Sequence, residues 1–304
     1  MSAPGAGAGR APSTELALLV LLAVLWGSSY PLIKVALATI PPVTLIALRV
    51  TLAAAVLGAV MAWRGDRPPR PGPTWGRLLV QAQLNSVGAW LLLAWGQQHV
   101  DSGLACVLNS TSPLFVFLIT LLFTRHEPTG GLRLVGAGLG LAGVVLIVGA
   151  EALAGLGTQV LAQGAVLLGA VLYAGAAIHG RRFAGLSPVV TAAGTLAWAT
   201  LCLVPLSLVL DRPWLLRPSA QSLVAALALS LFCTGGALLI YFRLVRTLGS
   251  LGVASQAYLR AGVGVLLGVV VLGERLAPAT ALGLAAVILG VAAINRRPAG
   301  PPRT

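Results

Sequence analysis

The side chains of this 304-residue sequence that could do chemistry away from water are few, and they are basic, amide-bearing, hydroxylic or aromatic. Arg260 lies nine residues into an apolar run that opens at Leu251, with Gln256 one helical turn before it. At about 1.5 Å of rise per residue, that places the guanidinium roughly 14 Å along a helix, near the middle of a membrane that the run would cross. An ionisable group there marks a functional site or a structural arginine satisfied by carbonyls of a neighbouring helix. Gln81 and Asn85 repeat at helical spacing with Gly88. Asn109 and Ser112 stand i, i+3 apart just before Pro113, which removes a backbone donor and frees a carbonyl. Trp26 and Ser29 share a helix face, and Tyr173 stands mid-run. Each could instead make an interhelical hydrogen bond, worth roughly 0.6–2 kcal/mol in membranes. Together, Trp26, Ser29, Gln81, Asn85, Asn109, Ser112, Tyr173, Gln256 and Arg260 form the candidate substrate-binding set. Such a lining suits a small polar or anionic molecule, because arginine offers a planar donor fork matched to carboxylates.

Other chemistries lack their parts. His99, His126 and His179 fall at the ends of apolar runs or between them, and no HExxH or GxxxxGK[ST] occurs. Cys106, Cys202 and Cys233 are far apart inside apolar runs and read as inert core thiols. No catalytic group, metal or cofactor is implied. No carboxylate lies inside an apolar run, which disfavours export of lipophilic cations. Glu127 and Glu274 fall at turns, where each would complement the dipole of the next helix, and Glu15 precedes the first run. Arg49, seven residues into its run, reads as structural, and Lys34, the sole lysine, reads as a snorkelling end residue.

The elements that must position these groups are membrane spans. Apolar residues make up 58% of the chain and charged residues 9%, far below the roughly 25% a soluble surface carries. Ten spans are predicted: 16–37, 42–62, 78–95, 103–123, 134–149, 160–180, 188–210, 222–242, 251–272 and 277–294. The net charge of +13 might indicate nucleic acid, but the arginines sit in short clusters between apolar runs. Alternate connections hold fourteen of them (Arg10; Arg64, Arg67, Arg70, Arg77; Arg125, Arg133; Arg181, Arg182; Arg243, Arg246; Arg296, Arg297, Arg303), and the others hold three (Arg212, Arg217, Arg275). By the positive-inside rule, both termini are cytoplasmic. The partners are then the lipid bilayer and a small-molecule substrate, with no nucleic acid.

The pattern Glu127, Gly136, Gly143 recurs as Glu274, Gly283, Gly290 at an offset of 147 residues, close to half the chain. Five spans per copy turn the second copy upside down, the plan of many secondary transporters. The glycines suit close helix packing, within one protomer or across a homodimer.

Several stretches carry a resemblance. WGSSYPLIK (26–34) with PPVTLIALR (41–49), SGLACVLNSTSPLF (102–115), and LLGVVVLGERL (266–276) followed by Gly283 and Gly290 resemble the two repeats of EamA-type proteins of the drug/metabolite transporter superfamily. The resemblance spans about 16–294 and implies an all-α polytopic fold of ten helices in two inverted five-helix repeats. Its division would be a disordered cytoplasmic N-terminus (1–15), repeats at 16–149 and 160–295, and a cytoplasmic tail (296–304). It implies alternating access around a central cavity lined by spans 1, 3, 4, 6, 8 and 9. This chain departs where the repeats meet: Arg260 and Ala261 lie opposite Ser112 and Pro113. The expected function is a secondary transporter of the bacterial inner membrane, exporting small metabolites such as amino acids. Drug or toxic-compound efflux is the alternative, and an intramembrane enzyme or a non-transporting scaffold the distant ones. In a chain freed of its own cysteines, single cysteines placed near Arg67 and Arg181 should label from the cytoplasmic side and one near Arg212 from outside; any other pattern breaks the ten-span topology.

Overall fold

A computed structural model describes residues 13–124, 131–153, 157–254, 256–275 and 278–295. The rest of the expected N-terminal tail, the 296–304 tail and Glu127 lie outside the described residues, while residues 13–15 already belong to the first helix. The helices are α1 (Ser13–Ala36), α2 (Pro42–Arg64), α3 (Pro73–Gln97), α4 (Ser102–Asn109 and Ser112–Ile119, with a π turn at Thr120–Thr124), α5 (Gly131–Leu153), α6 (Gly157–Gly180), α7 (Pro188–Leu210), α8 (Ala220–Ser230 and Ala237–Ala254 around a π turn), α9 (Gln256–Leu272) and α10 (Pro278–Asn295). Seven of the columns are long and apolar enough to cross a membrane, and shorter apolar helices run at Leu134–Leu146, Leu259–Leu272 and Ala281–Gly290. The outward faces are apolar, as lipid requires: Val209, Leu210, Val224, Phe232 and Val270 are all exposed. Trp63 and Trp214 project near helix ends, where amphipathic rings favour the membrane interface.

Several helix boundaries differ from expectation. The third helix is longer than 78–95. α8 continues past Phe242 to Ala254, because Arg243 to Ala254 contains no proline, and Arg243, Leu244, Arg246 and Leu248 carry the helix past the apolar run. Arg243 and Arg246 therefore sit on helix rather than in a loop, and α9 starts at Gln256 instead of Leu251.

Packing pairs the two halves of the chain. α5 lies on α10, α2 on α7 and α4 on α9; α1 packs on α8 and α9, and α6 on α3 and α4. Replacing each helix by the one five places along the chain maps these contacts onto one another. Two of the π turns follow the same rule, at Gln83–Gly88 in α3 and Leu231–Gly236 in α8, 148 residues apart, whereas the one at Thr120–Thr124 in α4 has no counterpart in α9.

The repeated glycines are where α5 meets α10 inside one protomer. A Cβ added at Gly143 would sit 2.7 Å from the Gly283 carbonyl oxygen, and one at Gly290 would sit 2.5 Å from that of Gly136. This reciprocal pairing means that the two helices run antiparallel. Both obstacles are backbone, so neither can yield as a side chain would. Gly290→Leu and Gly143→Leu should each lower the melting temperature in detergent by several degrees, whereas Gly138→Leu, at a position with open space around it, should leave it almost unchanged.

Candidate functional site

Arg260 lies at the contact of α9 with α1 and α4. It stands twelve residues before Leu272, so about 18 Å along the axis from that end of α9. Its backbone is wedged between two helices. A Cβ at Gly27 of α1 would fall 2.7 Å from Val263 Cγ1 and 3.1 Å from the Arg260 carbonyl oxygen, so Gly27 is what lets α9 approach. From α4, the Cys106 thiol donates to the same carbonyl at 3.6 Å. The guanidinium then meets the break in α4, where its Nη2 donates to Ser110 Oγ at 3.4 Å.

That break follows from Pro113. With no N–H at 113, the Asn109 carbonyl loses its helical donor, and the Ser112 hydroxyl replaces it at 2.8 Å. Ser110 and Thr111 return their hydroxyl protons to Cys106 and Leu108 carbonyls. Asn109 Nδ2 donates to the Tyr30 hydroxyl at 2.8 Å. Asn109 Oδ1 and Arg260 Nε are buried and have no hydrogen-bond partner among the described residues.

A second cation completes the interior. Arg49 of α2 is 6% exposed; its Nε donates to Thr234 Oγ1 at 2.9 Å, and its guanidinium lies 3.9 Å from the centre of the Trp90 ring. Trp90 Nε1 donates to the Tyr173 hydroxyl. Both Arg49 and Arg260 act electrostatically on Tyr30 and Tyr173, so one polar region joins α1, α2, α3, α4, α6, α8 and α9.

The predicted residues divide. Asn109, Tyr173 and Arg260 come together around Tyr30. Ser112 serves the broken backbone beside them. Trp26 stacks on Tyr241, ring centres 5.5 Å apart, and the Ser29 hydroxyl donates to the Leu25 carbonyl. Gln81 donates to the Ala176 carbonyl and Asn85 to Ser86 Oγ. The π turn beginning at Gln83 separates Gln81 from Asn85 and widens the helix, so the two do not continue one stripe. The side chain of Gln256 lies outside the described residues. Tyr30, Trp90, Ser110 and Thr234 were missed; the YP pair within WGSSYP was the one available signal for Tyr30.

The end of the molecule where α1 terminates is tied by charge. Glu274, which follows α9, accepts from the Ser102 and Gly103 amides at 2.6 and 2.9 Å. It therefore caps α4 in the other half, and not the next helix as its position in the sequence implied. Asp101 holds the N-cap position of α4 without a side-chain cap bond. Partial burial pushes its carboxyl above the ordinary range, the Glu274 charge adds to this, and Lys34 opposes it. Lys34 Nζ donates to the Gln97 and Val100 carbonyls at 2.8 and 2.9 Å, a specific anchor at the end of α3 rather than free snorkelling. Asp211 likewise caps α2 through the Thr44 amide at 2.8 Å. At the opposite end of α1, Glu15 pairs with Arg243 at 2.9 Å and accepts from Thr247.

The EamA-like transporter family matches residues 13–149 and again 161–296. The chain belongs to the EamA-like transporter family. Relatives agree along nearly the full length. The uncharacterized inner membrane transporter YedA of Escherichia coli K12 is 28% identical over 279 residues, covering 91% of this chain and 89% of YedA. A probable terminal-alkyne amino-acid exporter of Streptantibioticus cattleyicolor is 28% identical over 293 residues, covering 94% of each. A crystal structure with 24% identity superposes at a TM-score of 0.64 over 93% of this chain and 97% of its own, which shows the shared fold. This EamA-family chain is a multi-pass membrane transporter. Removing the cross-half cap by Glu274→Gln should cost about 1 kcal/mol and speed amide exchange at residues 102–104 selectively; unchanged exchange there would show that the cap does not hold α4.

Proposed function

We propose that this transporter is a secondary carrier of the bacterial inner membrane, with ten crossings in two inverted five-helix repeats and both termini cytoplasmic. It exports a small polar or anionic metabolite, such as an amino acid, by alternating access, and is not an enzyme. The observation that carries this is Arg260: a guanidinium inside the bundle, at the contact between halves, whose Nε has no protein partner among the described residues. A carboxylate fits its donor fork, with Tyr30, Asn109 and Tyr173 around the rest of the molecule. The relative named as an amino-acid exporter supports the substrate class. The matched packing of the halves and the antiparallel α5/α10 contact support inversion. Among the described residues no carboxylate lies beside Arg49 or Arg260, which favours this over efflux of lipophilic cations, since such a substrate needs an acid partner. Alternating access needs ends that open in turn. The Glu274 cap on α4 and the Glu15–Arg243 pair, at opposite ends of α1, are contacts that such a cycle would break and remake.

Cells producing the protein should grow through challenge with toxic amino-acid analogues better than cells producing Arg260→Ala at the same level. Equal resistance with matched membrane expression would return Arg260 to a structural role.

A further inference from the structure

We propose that Arg49 is a second anion-binding arginine, so that the molecule carried has two anionic groups, one at Arg260 and one at Arg49. This deepens the export reading above and rests on it. Arg49 is held but not neutralised. The Thr234 hydroxyl donates its proton to the Leu229 carbonyl at 2.8 Å, so its oxygen can only accept from Arg49. The Trp90 ring supplies a cation–π contact, and its N–H is engaged by Tyr173. A desolvated cation–π contact and a hydrogen bond to the charged group both offset the cost of holding an arginine inside a membrane. Arg49 can therefore stay charged in the interior without a carboxylate. Its terminal nitrogens make no hydrogen bond to the protein among the described residues.

The surroundings are rich in donors. The Tyr173 hydroxyl accepts from Trp90, which leaves its phenol proton able to donate, while the Tyr30 hydroxyl accepts from Asn109 and is bonded to the Cys106 thiol. Arg260 Nε adds another unpaired donor. Against these two cations, the acids among the described residues (Glu15, Asp66, Asp101, Glu151, Asp211 and Glu274) all fall at helix ends or between helices. A zwitterion would bring no net charge, and among these groups its ammonium would meet one unpaired acceptor, Asn109 Oδ1, against two guanidiniums. A small dianion would neutralise both guanidiniums in a medium where charge pairs interact strongly. Two classes share this chemistry: dicarboxylates, acidic amino acids among them, and phosphorylated metabolites.

The full-length protein purified in detergent would be melted with glutamate, succinate, inorganic phosphate or glutamine at constant ionic strength. Glutamate and succinate should stabilise it at least tenfold more potently than glutamine, and Arg49→Gln should remove that preference while changing the glutamine response less than twofold. Arg49→Lys should keep part of it. Stabilisation by phosphate alone would support the proposal and assign the phosphorylated class. Equal potency of glutamine and glutamate on the wild-type protein overturns it without any variant, even if Arg49→Gln does not fold. Equal losses for both ligands in Arg49→Gln overturn it too. If no probe stabilises the wild-type protein, the dianion site is wrong, while resistance in the analogue challenge still judges export separately.

Discussion

Polar groups inside a lipid-facing bundle must find partners within the protein, and the structure is organised around meeting that demand. The frustrated carbonyl opposite Pro113 is answered by Ser112. The hydroxyls of Ser110 and Thr234 give their protons to carbonyls and so become acceptors, each for one interior arginine. At the ends of helices, the partner comes from the other half of the chain: Glu274 for α4 and Asp211 for α2. Around the two interior arginines this accounting is incomplete, at Arg260 Nε, Asn109 Oδ1 and the outer nitrogens of Arg49.

Much of the architecture was legible in the sequence because lipid writes long, simple patterns. Ten apolar runs and a 147-residue echo of Glu-Gly-Gly predicted the helices, and each run overlaps a helix of the structure, although the run 251–272 straddles the end of α8 and the start of α9. The errors came where no pattern marks a boundary. Arg243 and Arg246 looked like a loop, yet nothing after Phe242 stops a helix, and α8 continues. The partners of Glu274 and Lys34 were unreadable for another reason. A cap joining residues 172 positions apart leaves no trace in local spacing.

The site was half legible. Arg260, Asn109 and Tyr173 announced themselves as polar residues in apolar surroundings. Trp90 and Tyr30 did not, because an aromatic residue in an apolar run looks like ordinary packing until its N–H or O–H is seen to have a partner. Arg49 was visible as a buried cation, but its depth in the sequence says nothing of Thr234, on a helix six columns further on. The helical spacing of Gln81 and Asn85 misled for a structural reason: a π turn lies across it.

The reciprocal glycine contact also constrains how the molecule can move. Where two backbones touch, displacement by one turn, about 5.4 Å, would bring Val287 to the place of Gly290, against the Gly136 carbonyl. Shear between α5 and α10 is therefore blocked sterically, while tilting about the touching point meets no such obstacle. The echo that first exposed the duplication thus fixes the register of the two halves at the place where their backbones touch.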